Sequence, residues 1–169
     1  WVTARAETVG TAERRKLFPR AFGRPVSVAP GLAGRVEDML RDAAVQALSL
    51  ARKAGTVVAG YEKVMAALAR DEVVGLVHAA EAGADGVEKI AAAARRRYGP
   101  EGLPAIRLLT GEQLDLAFGR TNVIHAALLA GPASANTLRR AQALADFVGE
   151  DKGVGGIGPA ETSDESARP

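Results

Sequence analysis

Apolar residues recur at helical spacing through Val36, Met39, Leu40, Ala43, Ala44, Ala47, Leu48 and Ala51, which predicts a helix starting near Leu32. Arg52 and Lys53 suit the negative end of that helix, and Gly55 suits the left-handed position that closes one. Strand-like and helix-like patterns then alternate. Residues 56–59 are a short β-branched run, and residues 61–70 are helical with Val64, Ala67 and Leu68 on one face. Residues 73–79 are continuously apolar, as in a strand buried on both faces. Asp85 with Glu88 has capping-box spacing and opens a helix to about Arg97, with Val87, Ile90, Ala91 and Ala94 inward. Residues 104–109 read as a third strand. Thr110 with Gln113 is a second capping-box pattern, opening a short helix that Gly119 stops. Residues 123–129 read as a fourth strand, and Pro132 leads into a last helix over residues 134–148. This alternation predicts an α/β fold, a small three-layer α-β-α sandwich with a four-stranded sheet over residues 42–149.

The ends follow other rules. Residues 1–4 read as a strand and residues 7–17 as a short charged helix, whose continuation Pro19 and then Gly23-Arg24-Pro25 break. Residues 25–31 read as a linker or an edge strand, overlapping a linker and helix start that spans 27–41. Residues 150–169 have no apolar period, are rich in glycine and end acidic, so a disordered tail is expected. Trp1 is not an initiator residue, and the chain is expected to be a piece of a longer product.

Composition narrows the chemistry. The chain has 169 residues, 47% of them hydrophobic and 25% charged, as in ordinary globular domains. It contains no cysteine, which excludes disulfides, thiolate catalysis, iron–sulfur clusters and cysteine-ligated zinc. Its only histidines, His78 and His125, lie in apolar strand runs and read as core residues rather than ligands. No apolar run reaches the length of a membrane span and residues 1–30 lack a signal-peptide core, so a cytoplasmic protein with no membrane partner is expected. Charge is unevenly spread: residues 1–41 carry net +4, residues 42–149 net +1 and residues 150–169 net −3. A basic arm of this kind points to a polyanion partner or to a solvated arginine-rich surface.

Catalytic motifs are absent. No G-x-S-x-G, H-E-x-x-H or phosphate-binding P-loop pattern occurs, and no enzyme activity, metal or cofactor is expected. Residues 153–158 match G-x-G-x-x-G, but no helix pattern follows, so a flexible tail is the reading. Arg95-Arg96-Arg97 closes a helix, where it offsets the dipole or contacts phosphate. Residues 48–64 place a short strand, then Gly60, then a helix whose first turn carries Tyr61, Glu62 and Lys63. Such a helix start can read phosphates or base edges, or simply be a capped helix.

That segment carries a resemblance. Leu-Ala-Arg-Lys-Ala-Gly at 50–55 with Gly60, Leu-Val-His-Ala-Ala-Glu at 76–81 and Leu-Asp-Leu-Ala-Phe-Gly-Arg at 114–120 together resemble the kink-turn RNA-binding ribosomal protein family, the L-seven-Ae and L-thirty-e fold. The resemblance covers about residues 44–130, with 148 as its outer bound. It implies a small non-enzymatic α-β-α sandwich that binds structured RNA, ribosomal RNA among the candidates, through Gly60, Tyr61, Glu62 and Lys63, with Arg52, Lys53, Gly119, Arg120, Thr121 and Asn122 beside them. Where that family has asparagine, glutamate and lysine after the glycine, this chain has Glu62, Lys63 and Ala66. Glu62 only accepts and Lys63 only donates, so a structured RNA other than a standard kink-turn is implied. Residues 1–26, including Glu-Arg-Arg-Lys-Leu-Phe-Pro-Arg-Ala-Phe at 13–22, resemble the C-terminal part of a YlxR-type nucleic-acid-binding domain. This second resemblance implies a partial α+β domain, mobile relative to residues 42–149, whose Arg14, Arg15 and Lys16 add RNA affinity. The pairing implies a bacterial protein of ribosome biogenesis, RNA processing or transcription–translation. Two alternatives are a protein-interaction module of the same fold without RNA, and the substrate-recognition domain of an RNA methyltransferase.

Overall fold

A computed structural model describes residues 4–149 and the backbone of residues 154–155. Among the described residues seven helices and five strands follow in the order α1 (Ala6–Arg14), α2 (Leu17–Phe22), α3 (Leu32–Lys53), β1 (Val57–Ala59), α4 (Tyr61–Arg70), β2 (Val73–His78), α5 (Ala84–Tyr98), β3 (Ala105–Ile106), α6 (Gly111–Phe118), β4 (His125–Leu129), α7 (Pro132–Val148) and β5 (Val154–Gly155). The sheet runs β1-β4-β2-β3-β5, with β2 and β3 parallel and the other neighbours antiparallel.

Two apolar layers enclose the sheet, as the continuous runs in β2 and β4 require. Leu48 of α3, Leu114 and Phe118 of α6 and Leu144 of α7 pack with Val77, Ala126 and Leu128 on one face. Val64 and Leu68 of α4 and Ile90 and Ala94 of α5 pack with Leu76 and Ala127 on the other. Val73 and Leu76 share a face despite an odd spacing because the β2–β4 register shifts between Val73 and Gly75. The fold is thus the α/β three-layer sandwich expected.

Several local expectations are corrected. The third strand shrinks to Ala105–Ile106, which pair with Leu76 and Val77, and the Arg107 guanidinium beyond it donates to the Ala80 and Ala82 carbonyls. The fourth starts at His125, since Asn122 and Val123 spend their N–H groups on the Asp115 carboxylate. Asp85 and Glu88 form no capping box: Gly83 is the N-cap, and the two acids pair inside the helix with Lys89 and Arg95. Thr110 and Gln113 do form theirs, the Gln113 N–H donating to Thr110 Oγ1 at 3.3 Å and the Thr110 N–H to Gln113 Oε1 at 2.9 Å. Pro19 does not break the chain's second helix but sits in its first turn, where its missing N–H costs nothing. Residues 25–31 form no strand. Within the tail expected to be disordered, Val154 and Gly155 pair with Ile106 and Ala105, covering an edge that β3 would otherwise leave unpaired. The rest of that tail, most of the 153–158 glycine motif and residues 1–3 of the expected first strand lie outside the described residues; Ala4 is in no strand.

The arm is docked rather than free. Its helix α1 packs on α3 and α7, with Ala12 buried. The Glu13 carboxylate accepts the Gly31 N–H at 2.7 Å and the Leu32 N–H at 3.0 Å, satisfying the first donors of α3 from 18 residues away. α3 itself runs unbroken from Leu32 to Lys53, through the boundary expected at residue 42. Glu13→Ala should therefore lower stability by about 1 kcal/mol, a fall of about 2–4 °C in Tm. Thermal unfolding followed by circular dichroism checks this, and an unchanged Tm would mean that the arm does not hold the start of α3.

Candidate nucleic-acid interface

Gly60 makes the turn between the edge strand β1 and α4. Its φ of 108° and ψ of 142° are strained for any residue with a side chain, so glycine is required. Its N–H donates to the His125 carbonyl at 2.8 Å, and its carbonyl accepts the Val64 N–H at 2.9 Å, which starts the helix. No side chain caps α4, and Lys63 leaves its first turn exposed.

The end of α6 is shaped by Asp115. One carboxylate oxygen accepts the Asn122 N–H at 3.0 Å, the other the Val123 N–H at 2.8 Å, and its carbonyl accepts the Arg120 N–H at 3.2 Å. Gly119 and Asn122 take left-handed φ values of 57° and 62° within this loop. Arg52, in the last turn of α3, lies over Gly119: a side chain there would begin 3.2 Å from the Arg52 Nη1.

Arg52, Lys63 and Arg120 thereby converge on one groove of about 320 Å³, floored by Val57, Val58, Ala59, Phe118 and Gly119. Among the described residues none of the three cations is in an ion pair; those pairs are Glu37–Arg41, Asp85–Lys89 and Glu88–Arg95. Lys53, Glu62, Thr121 and Asn122 are exposed next to these residues in the chain but do not line the groove. Tyr61 is half-buried, its ring edge-on to His125 at 6.2 Å, so it serves packing. Arg14, Arg15 and Lys16 form a separate exposed cluster at the α1–α2 turn, where the Arg14 guanidinium donates to Thr11 Oγ1 at 3.0 Å. Lys16 lines a second groove with Phe18, Pro19 and Val26. Of the Arg95-Arg96-Arg97 run, two members are occupied: Arg95 pairs with Glu88, and Arg97 donates to the Leu68 carbonyl at 3.0 Å.

Two contributions were not read from the sequence: the Asp115 carboxylate, and the contact between the two histidines, which are in the core as expected. Asp115 carries the loop; its signal is an acidic residue near the C-terminal end of a helix, where the dipole disfavours it unless it has another task. The second is the histidine pair. His78 and His125 are cross-strand partners whose Nδ1 atoms lie 2.9 Å apart, both buried. Burial first, then His125 and Arg107, hold the His78 pKa down at about 4 from 6.5. Burial and Arg107 also lower that of His125. Both rings are therefore neutral near pH 7. The stability they allow is whole above 6.5 and is lost as pH falls towards 4, by about 3 kcal/mol for His78.

Among the described residues no group of three His, Asp or Glu side chains could hold a metal, and no helix is long and apolar enough to cross a membrane. No protein-family model matches the chain, and no curated protein matches it. Among solved structures, the chain is similar to a protein of unknown function from Bacillus halodurans, with a TM-score of 0.50 and 17% identity over 60% of this chain and 95% of that one. At that identity the likeness is one of fold.

Proposed function

We propose that this chain is a cytoplasmic RNA-binding protein that grips structured RNA, ribosomal RNA among the candidates, by its backbone and performs no catalytic step. The observation that carries the reading is the convergence of Arg52, Lys63 and Arg120, from three separate elements, on one groove, with none of the three in an ion pair among the described residues. Cations that emerge side by side from three elements and are in no ion pair suit phosphates spaced along a folded backbone, and phosphate contacts position a nucleic acid without reading its sequence. The groove floor offers Val57, Val58 and Ala59 but no exposed aromatic platform for stacking unpaired bases, which favours structured over single-stranded RNA. Arg14, Arg15 and Lys16 belong to the docked arm and add a second, non-specific contact. The resemblance to kink-turn binders supports the surface, while Glu62, Lys63 and Ala66 replace the residues that would give kink-turn specificity. A role in ribosome biogenesis, RNA processing or transcription–translation fits this reading.

Replacing Arg52, Lys63 and Arg120 together by alanine should reduce the slope of log affinity against log salt by about three, one released counterion for each residue. Fluorescence anisotropy with a folded ribosomal RNA fragment over a salt series measures it. Binding whose slope is unchanged would place the RNA elsewhere, and salt-independent capture of a protein instead would favour the interaction-module alternative.

Asp115→Asn separates positioning from net charge. Removing a negative charge beside the groove should strengthen a purely electrostatic contact. If the loop geometry matters, affinity should instead fall about fivefold, since the amide offers one oxygen where two N–H groups need acceptors. Tighter binding by this variant in the same titration would show that the loop shape is irrelevant.

A further inference from the structure

We propose that the buried His78–His125 pair is a proton-sensitive latch for the groove: with the rings neutral it positions the first turn of α4, and with both charged it releases it. The inference rests on the RNA-binding reading for its biological consequence, and on the geometry of the sheet for its existence.

Register places His78 at the end of β2 directly opposite His125 at the start of β4. With the Nδ1 atoms 2.9 Å apart, one ring donates and the other accepts, so only one proton lies between them. A first added proton can sit on the outer nitrogen of the donor ring and keep the bond. A second has to occupy the accepting Nδ1, which abolishes the bond and leaves two cations in contact.

The surroundings give that charge nowhere to go. Arg107, following β3, adds a further cation, its guanidinium on the Ala80 and Ala82 carbonyls. The Glu81 carboxylate is occupied by the Gly111 N–H at 2.7 Å. On α5, Asp85 is committed to Lys89 at 2.8 Å, and Gly86 lies so close that a side chain there would start 2.9 Å from the His125 Nε2. This is the first turn of α5, whose positive end also disfavours an imidazolium. On α4 the facing titratable group is the Tyr61 phenol, and β1 contributes only Val57, Val58 and Ala59.

His125 also holds the interface. Its carbonyl accepts the Gly60 N–H at 2.8 Å, and its ring meets the edge of Tyr61 at 6.2 Å. Lys63, on the same turn of helix, lines the groove. A His125 driven from His78 therefore carries with it the backbone from which the Lys63 cation is presented.

An NMR titration of the whole chain without RNA tests the latch itself. The Gly60 and Tyr61 amide resonances should move with the same midpoint as the second histidine titration, well below the ordinary 6.5, while Ile90 and Leu144 keep their native positions. Gly60 resonances that stay fixed while both histidines titrate, or global unfolding before any local movement, would overturn it. The variant His78→Asn keeps a neutral hydrogen-bonding side chain that cannot take up a proton. It should retain neutral-pH RNA affinity and lose the acid response, whereas the unaltered chain should weaken about fivefold or more on acidification. A weakening of RNA binding on acidification that is equal in the two proteins would overturn the latch. If the Gly60 shifts follow the histidines but RNA affinity does not follow pH, the latch stands and the RNA-binding reading of the groove fails.

Discussion

The hydrogen bond from the Gly60 N–H to the His125 carbonyl is where the core and the groove meet. β4 lies between β1 and β2 and is buried on both faces from His125 to Leu128, so the packing of two helical layers fixes its place. β1 is only three residues long and forms the sheet's edge. It could not hold a helix start by itself. Anchored to β4, the Gly60 turn gives α4 a fixed origin and sets the backbone of Lys63 beside Arg52 and Arg120. A groove whose backbone is already in place has only its side chains left to order when it binds.

The same economy appears at the other elements around the site. Asp115 shapes the loop that presents Arg120, and Arg52 can rest over Gly119 only because that residue has no side chain. Glu13 ties a basic arm to the start of α3, whose far end supplies Arg52. The positive charge of residues 1–41 is thus held on the same body as the groove rather than trailing from it. Buried polar groups are spent in the same way: among the described residues no buried side-chain nitrogen or oxygen lacks a partner, so the histidine pair is a satisfied element of the core and not a vacancy.

What was legible in the sequence is what burial writes into it. The repeat in residues 61–70 matches α4 residue for residue, because one face must reach Val73 and Leu76. Gly55 ends α3 as its position suggests, with φ of 72°. Thr110 and Gln113 are legible because their partners lie within one turn. The same spacing misleads at Asp85 and Glu88, where Gly83 already occupies the cap and lysine and arginine compete for the acids. Contacts between distant residues leave no such mark. Glu13 and Gly31 are 18 positions apart, His78 and His125 are 47, and nothing local announces either pair. Val154 and Gly155 carry no strand signal, since β3 recruits them for their backbone alone. Of the groove residues, Arg52, Lys63, Gly119 and Arg120 are recognisable from motifs, but their convergence becomes visible only when the order β1-β4-β2 sets three elements side by side.

Amide and arginine side-chain shift mapping of the labelled chain, titrated with a folded ribosomal RNA fragment at low salt, tests the central claim most directly. The account predicts that shifts concentrate at Arg52, Gly60 to Lys63 and Gly119 to Asn122, with a weaker set at Arg14 to Lys16. Shifts that spare these residues and gather instead around Arg95 to Arg97, or no shifts at all, would contradict it.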